Sequence, residues 1–334
     1  LIDRTPIRYI RRTSTTVLGV PDHDAVHPVL AALRERPPGA RIALVIEGGG
    51  MRGAVTGGMA LAVERLGLTG AFDAVYGTSA GALNAMWLVA GRVERGSETW
   101  WDPTLVHTLI EPRRALRGGR IVDTEALVEE RYDVLSPGVF RAALDARATL
   151  HPMATDVDTG APVDLRPTIT DEASLRRALR ASSALPLLAG GPVPIGDRRY
   201  LDGGLTVAIP FRRAIEEGAT HVVVLRSRRL GDITQPPSRV SGRLVGGLLR
   251  RISPATAGAY LGRAVAEGRD EAELAERDAG RIDSPAWLSV RPLPDSPVPS
   301  RLERDVGVVR EALEAGEEAA RRVLGAASTA GAPA

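Results

Sequence analysis

The chain has 334 residues, 44% of them apolar and 25% charged, with a formal net charge of +2 and no cysteine. That length supports a large domain with a sizeable buried core, and so small a net charge gives little reason to expect nucleic acid as a partner. The lack of cysteine excludes disulfides, thiolate catalysis and cysteine-ligated metals, and because all 43 basic residues are arginine, a lysine-dependent Walker loop is excluded as well.

In chain order, residues 1–40 read as a weakly ordered lead-in. An arginine-rich start without an apolar leader core precedes a short helical pattern over Val26–Glu35, then Pro37-Pro38-Gly39. Ile42–Ile46 is a continuous apolar run, the mark of a strand covered on both faces. Gly48–Gly53 is a glycine-rich turn and Ala54–Leu66 a helix. Asp73–Tyr76 is a second short strand, which runs into Gly77-Thr78-Ser79-Ala80-Gly81 and a helix over Ala82–Ala90. This strand–turn–helix alternation predicts an α/β three-layer sandwich around a mostly parallel sheet.

The middle of the chain is less regular. Trp100-Trp101-Asp102-Pro103 reads as a loop or packing corner, Pro112–Arg120 as a basic solvated loop and Thr124–Arg131 as a short helix. Strands are expected over Ala148–Thr155 and Val163–Pro167, a helix over Ser174–Ser182, a helix over Phe211–Glu217 and a β-branched strand over His221–Leu225. A C-terminal helical region is expected over residues 226–334, with a last core strand near 287–292 and a frayed tail from Ala326. Within it, Arg243–Ile252 is a basic amphipathic stretch. The favoured reading is a helix that packs its apolar face on the core with arginines in solvent; the alternative is peripheral contact with an anionic bilayer. No window approaches the roughly 18 apolar residues of a membrane span, so a cytoplasmic protein, peripheral to a membrane at most, is expected.

Three motifs carry chemistry. Gly77–Gly81 is a G-x-S-x-G turn between a strand and a helix, which would set Ser79 at a helix N-terminus as a nucleophile. Gly48-Gly49-Gly50-Met51-Arg52-Gly53 fits two readings. It matches a dinucleotide fingerprint, but the acidic residue expected about 20 positions on would be Asp73, already at the strand that leads to the elbow. It equally fits an oxyanion hole, in which glycine amides converge on a developing anion beside the serine. Asp202-Gly203-Gly204 would alone be a plain turn. The histidines suit a triad poorly: His107 lies in the tryptophan-rich region, His151 at a strand start and His221 at the wrong end of its strand.

The three motifs in this order, with Ala154-Thr155-Asp156, Thr159-Gly160, Ala181–Pro186 and Tyr200, resemble the patatin-like phospholipases. The resemblance covers roughly residues 41–225. It implies a patatin-like catalytic core and a Ser79–Asp202 dyad without histidine, with Asp202 as general base. It also implies an oxyanion hole from the amides of Gly49, Gly50 and Met51, with Gly48, Arg52, Gly53, Gly77, Gly81, Gly203 and Gly204 supporting the turns. The implied substrate is a lipid acyl ester, phospholipid or lysophospholipid, and the motifs imply no metal or cofactor. The alternative is a non-catalytic lipid-binding or regulatory protein that keeps the fold.

Overall fold

The structure, a computed structural model, describes residues 27–186, 188–232 and 239–327. The expected lead-in through residue 26 and the tail beyond 327 lie outside the described residues.

Among the described residues eight strands form a single mixed sheet. They are β1 (Ile42–Ile46), β2 (Ala74–Thr78), β3 (Thr149–Asp156), β4 (Pro162–Asp164), β5 (Val193–Ile195), β6 (Arg198–Asp202), β7 (His221–Leu225) and β8 (Ala286–Val290). Their order is β5-β6-β3-β2-β1-β7-β8, with β4 also paired to β3. The five strands from β3 through β8 are mutually parallel, while β4, β5 and β6 pair antiparallel.

The unbroken apolar run of β1 has its explanation in this order. The strand lies at the centre of the sheet and every residue of it is buried. Ile42, Leu44 and Ile46 point into one apolar layer with the helices Gly53–Arg65, Ala80–Val89 and Val306–Leu324. Ala43 and Val45 point into a second layer with Phe211, Leu274 and Trp287. The result is a three-layer α/β sandwich with a C-terminal helical extension.

Val306–Leu324 closes the first layer by lying directly on Gly53–Arg65. Close contact requires glycine on both helices, since a Cβ on Gly58 would strike the Leu313 carbonyl and one on Gly316 the Val55 carbonyl.

Trp100–Pro103 is not a loop. Trp100 and Trp101 end the helix Val93–Trp101, and Asp102 caps the next helix, Pro103–Leu109, by accepting from the Leu105 N–H at 2.8 Å. The breaker was visible, but it serves as N-cap and proline at the first helical position rather than as a loop. The short helix Val139–Asp145, unanticipated from the sequence, starts after Gly138 in the left-handed region. The basic stretch Pro112–Arg120 contains a short 3-10 helix, Pro112–Arg117.

Candidate active site

β1 and β2 are parallel neighbours, with Ile46 opposite Gly77. Their C-terminal ends therefore bring the turns that follow side by side. Ser79 joins β2 to the helix Ala80–Val89 with φ 55 and ψ −124. A non-glycine residue with positive φ is strained and persists only where its surroundings dictate it. Here the Ser79 N–H donates to Ser182 Oγ at 3.0 Å, and Ser182 Oγ–H donates to the Met153 carbonyl at 2.6 Å. A Cβ on Gly77, Gly81 or Gly203 would press on the backbone of an adjacent turn or strand, and one on Gly48 would lie 2.5 Å from the Thr78 carbonyl oxygen. Gly53 gives the same clearance to the Trp100 ring.

The register explains how Asp202 meets this serine. Thr78 pairs with Met153 on β3, so Ser79 is level with Ala154, whose antiparallel partner is Asp202. Ser79 and Asp202 thus reach over the same strand from its two sides. Ser79 Oγ–H donates to Asp202 Oδ2 at 2.7 Å, and the Gly204 N–H donates to Oδ1 at 2.7 Å. The Asp202 backbone is fixed as well, its N–H donating to the Ala184 carbonyl and its carbonyl accepting from Thr155 Oγ1 at 2.9 Å. Burial pushes the Asp202 carboxyl above the usual aspartate range, against the opposing pull of the Ser79 hydroxyl, the Gly204 N–H and the charges of Arg263 and Arg301.

The glycine turn is positioned from beneath by a buried carboxylate. Glu47 follows β1 directly and is 1% exposed. Its Oε2 accepts from Arg226 Nε at 3.1 Å and from the Ser227 N–H at 2.7 Å, and Arg228 Nε lies 3.4 Å from Oε1. Burial raises the Glu47 pKa, but the charges of Arg226 and Arg228 and the Ser227 N–H outweigh it and hold the carboxyl below its ordinary value. Arg52 also packs beneath the turn, where a Cβ on Gly49 would lie 3.1 Å from both its Cβ and its Nε.

Above this support, the Met51 N–H donates to the Arg301 carbonyl at 3.1 Å. Met51 lines the pocket, yet its amide is committed elsewhere in this arrangement. Among the described residues, the Gly49 and Gly50 N–H groups meet no backbone acceptor, and the first N–H groups of the helix that starts at Ala80 are uncommitted by helical geometry.

These groups open onto a cleft of about 1120 Å³, counting space continuous with solvent. Its polar end holds Ser79, Asp202, Gly49, Gly50, Arg263 and Arg301, and its apolar wall includes Leu83, Trp100, Leu109, Leu127, Leu185 and Leu188. Among the described residues no histidine lines it. His151 is buried elsewhere, stacked on Tyr76 and bonded through Nδ1 to Asp164 Oδ2 at 2.7 Å. His107 Nδ1 meets the Pro103 carbonyl, and His221 begins β7, bonded to Thr220. His151, Asp164 and Glu217 are close enough to suggest a metal site. Arg213 pairs with both carboxylates, which makes the group a charge-balanced network.

Several residues here were missed from sequence. Ser182 and Thr155 were part of a resemblance without an assigned role. Glu47 had a legible signal, a carboxylate ending an all-apolar strand. Arg263 and Arg301 had none, since both come from the region beyond residue 226.

A family model described as patatin-like phospholipase matches residues 44–215. The chain is 34% identical over 198 residues to the uncharacterized protein YjjU of Escherichia coli (strain K12), a match that covers 59% of this chain and 54% of that protein. It therefore spans about half the length of this curated relative. Among solved structures, that of VipD from Legionella pneumophila overlaps 86% of this chain and 67% of its own, with a TM-score of 0.41 and 15% sequence identity.

Proposed function

The chain belongs to the patatin-like phospholipase family, and on that premise we propose that it hydrolyses lipid acyl esters through a Ser79–Asp202 dyad and an acyl-enzyme intermediate. The observation that carries this reading is the 2.7 Å hydrogen bond from Ser79 Oγ to Asp202 Oδ2 on the floor of an apolar cleft. Ser79 Oγ attacks the ester carbonyl carbon as Asp202 takes its proton. The tetrahedral oxyanion is held by the Gly49 and Gly50 amides, with Ala80 N–H as a further donor. Collapse expels the alcohol, which receives the proton from Asp202, and leaves Ser79 acylated. Water then gives its proton to Asp202 and attacks the acyl carbon, and the fatty acid leaves as Ser79 regains its proton.

An ordinary aspartate, with a pKa of about 3.9, is a weak base at neutral pH. Burial lifts Asp202 toward a more useful basicity. The acyl chain lies along the leucine-rich wall.

The reading is tested with a fluorophosphonate probe and a lipid panel. The wild type is expected to become labelled at Ser79 and to release free fatty acid, and Ser79→Ala to lose both. A protein that binds lipid vesicles yet resists the probe would instead be the non-catalytic lipid-binding alternative.

The helix Arg239–Ile252 supports a peripheral membrane contact. Only part of its apolar face is covered: Leu249 is fully buried, while Leu244 is 68% exposed and Leu248 is exposed as well. The expected core-packed helix is thus only half realised. Leu261 and Val265 on the adjoining helix Pro254–Asp278 extend the exposed apolar surface. With Arg243, Arg250 and Arg251 exposed beside it, this surface suits an anionic bilayer, as charge complementarity requires. Each arginine near such a surface contributes about 1 kcal/mol. Replacing all three by glutamine should therefore weaken co-sedimentation with anionic vesicles by roughly a hundredfold, and unchanged binding would rule the contact out. Among the described residues no helix is long and apolar enough to cross a membrane.

A further inference from the structure

The polar end of the cleft carries more positive charge than the Ser79–Asp202 chemistry uses. Arg263, from the helix Pro254–Asp278, and Arg301, from the segment after β8, both line it beside Ser79 and Asp202. Arg301 is anchored by its own backbone, whose carbonyl accepts the Met51 N–H. Its guanidinium makes no ion pair or hydrogen bond among the described residues. Arg263 holds Glu267 through Nε at 2.5 Å, and Glu267 is shared with Arg228. Glu47 is in turn shared by Arg226 and Arg228. Glu267 and Glu47 are thus each shared between two guanidiniums.

Burial, then the charges of Arg263, Arg52 and Arg228, push the Arg301 pKa down to about 10, against the opposing charge of Glu267. It remains a cation at neutral pH, in a site where a further positive charge is unwelcome and an anion would relieve the repulsion.

We propose that Arg301 and Arg263 form an anion subsite at the polar end of the cleft that takes the phosphate of the substrate headgroup, so that the protein prefers acyl esters with an uncompensated negative headgroup over zwitterionic or neutral ones. The inference rests on the Ser79–Asp202 reading. With the acyl chain on the leucine-rich wall and the carbonyl at Ser79, an anion near Arg301 must lie on the alcohol side of the ester. In lipid esters that is where a phosphate is carried. A planar guanidinium fork matches phosphate oxygens in pairs, and a headgroup with its own ammonium would bring a cation into a cluster that already holds four arginines.

The test uses the full chain and three esters short enough to stay monomeric, so that vesicle binding plays no part: hexanoyl glycerol phosphate, hexanoyl glycerophosphocholine and monohexanoyl glycerol. The wild type is expected to favour them in that order. Arg301→Gln should lower the ratio of kcat/KM for the phosphate ester to that for the neutral one by roughly ten- to hundredfold, mainly through KM. Arg301→Lys should keep most of the ratio. Calorimetry on Ser79→Ala should show binding of glycerol phosphate, weakened to a similar extent when Arg301→Gln or Arg263→Gln is added.

An unchanged ratio, or glycerol phosphate binding indifferent to both arginines, overturns the subsite. So does inorganic phosphate bound as tightly as glycerol phosphate with no headgroup preference, which would mark a free-ion site. If none of the three esters is cleaved, the Ser79–Asp202 reading fails, and calorimetry alone still decides the subsite. If all are cleaved without preference, the dyad stands and the subsite falls.

Discussion

Asp202→Asn is expected to cut ester hydrolysis by about 10⁴-fold or more and, at neutral pH, to make the protein more resistant to heat. Both outcomes have one cause. Asp202 is 3% exposed and its carboxylate accepts two hydrogen bonds, one from the Ser79 hydroxyl and one from the Gly204 N–H. Burial nevertheless dominates and raises its pKa. Between the ordinary aspartate pKa of about 3.9 and the raised folded value, the native state binds more protons than the unfolded chain. Stability therefore falls as pH rises through that window, and the penalty is complete only above the folded value.

Asparagine removes the charge and with it the penalty, but cannot take a proton from Ser79. Its stability advantage should vanish in acid below the ordinary aspartate pKa, where the wild-type carboxyl is also neutral. In the wild type the acid limb of kcat/KM should lie above the ordinary aspartate range, since activity needs Asp202 ionised. Paired melting curves and pH–rate profiles check these points. His221→Ala should behave as wild type, and full activity in Asp202→Asn combined with its loss in His221→Ala would falsify the dyad.

The core of the sheet was legible because period and burial agree there. Ile42–Ile46 and His221–Leu225 are runs of apolar and β-branched residues, and they are the central strand β1 and its neighbour β7. The two glycine turns were legible for a different reason: glycine at Gly48, Gly77 and Gly81 is dictated by backbone contact, which leaves a pattern in sequence. What was not legible depends on distant pairing. The level of Asp202 against Ser79 follows from β3 lying between β2 and β6, an arrangement no local pattern encodes. Likewise the Met51 amide was expected to face the oxyanion, yet it is taken by a carbonyl 250 positions further on, that of Arg301.

The exposed leucines of Arg239–Ile252 show the same limit in the opposite direction. Periodicity identifies an apolar face correctly but not what covers it. Leu244, Val245, Leu248, Leu249 and Ile252 lie on one side of a helix by spacing alone. The packing divides them, with Leu249 buried and Leu244 in the open. A helix that covers only half its apolar stripe in the folded chain keeps the other half for something else, and the adjacent arginines select among the candidates.

The second large effect concerns stability. Glu47→Ala is expected to destabilise the fold by about 3–5 kcal/mol, read as a lower denaturant midpoint. The residue sits where β1 ends and the glycine turn begins, and its carboxylate is enclosed by Arg226, fully buried, and Arg228, 4% exposed. Alanine leaves those guanidiniums in a dry interior without the charge that justified them, and it strips the Ser227 N–H of its acceptor. Arg226 keeps Glu271 and Arg228 keeps Glu267, so the loss is not that of an isolated ion. Glu47→Gln, which can still accept from Ser227, should fall between wild type and alanine.

The pH dependence runs opposite to that of Asp202. Because its arginine neighbours hold the Glu47 carboxyl below its ordinary value, the stabilisation is present above the unfolded glutamate pKa of about 4.3 and is lost as pH falls through the folded value. The wild-type advantage over Glu47→Gln should accordingly shrink in acid. Since Gly48 follows Glu47 directly, the alanine variant should also lose activity under conditions where it is still folded, as the turn that carries Gly49 and Gly50 loses its support. An unshifted midpoint would mean that Arg226 and Arg228 are held by Glu271 and Glu267 alone, and that the turn owes its position to the Met51–Arg301 bond from above rather than to the carboxylate beneath.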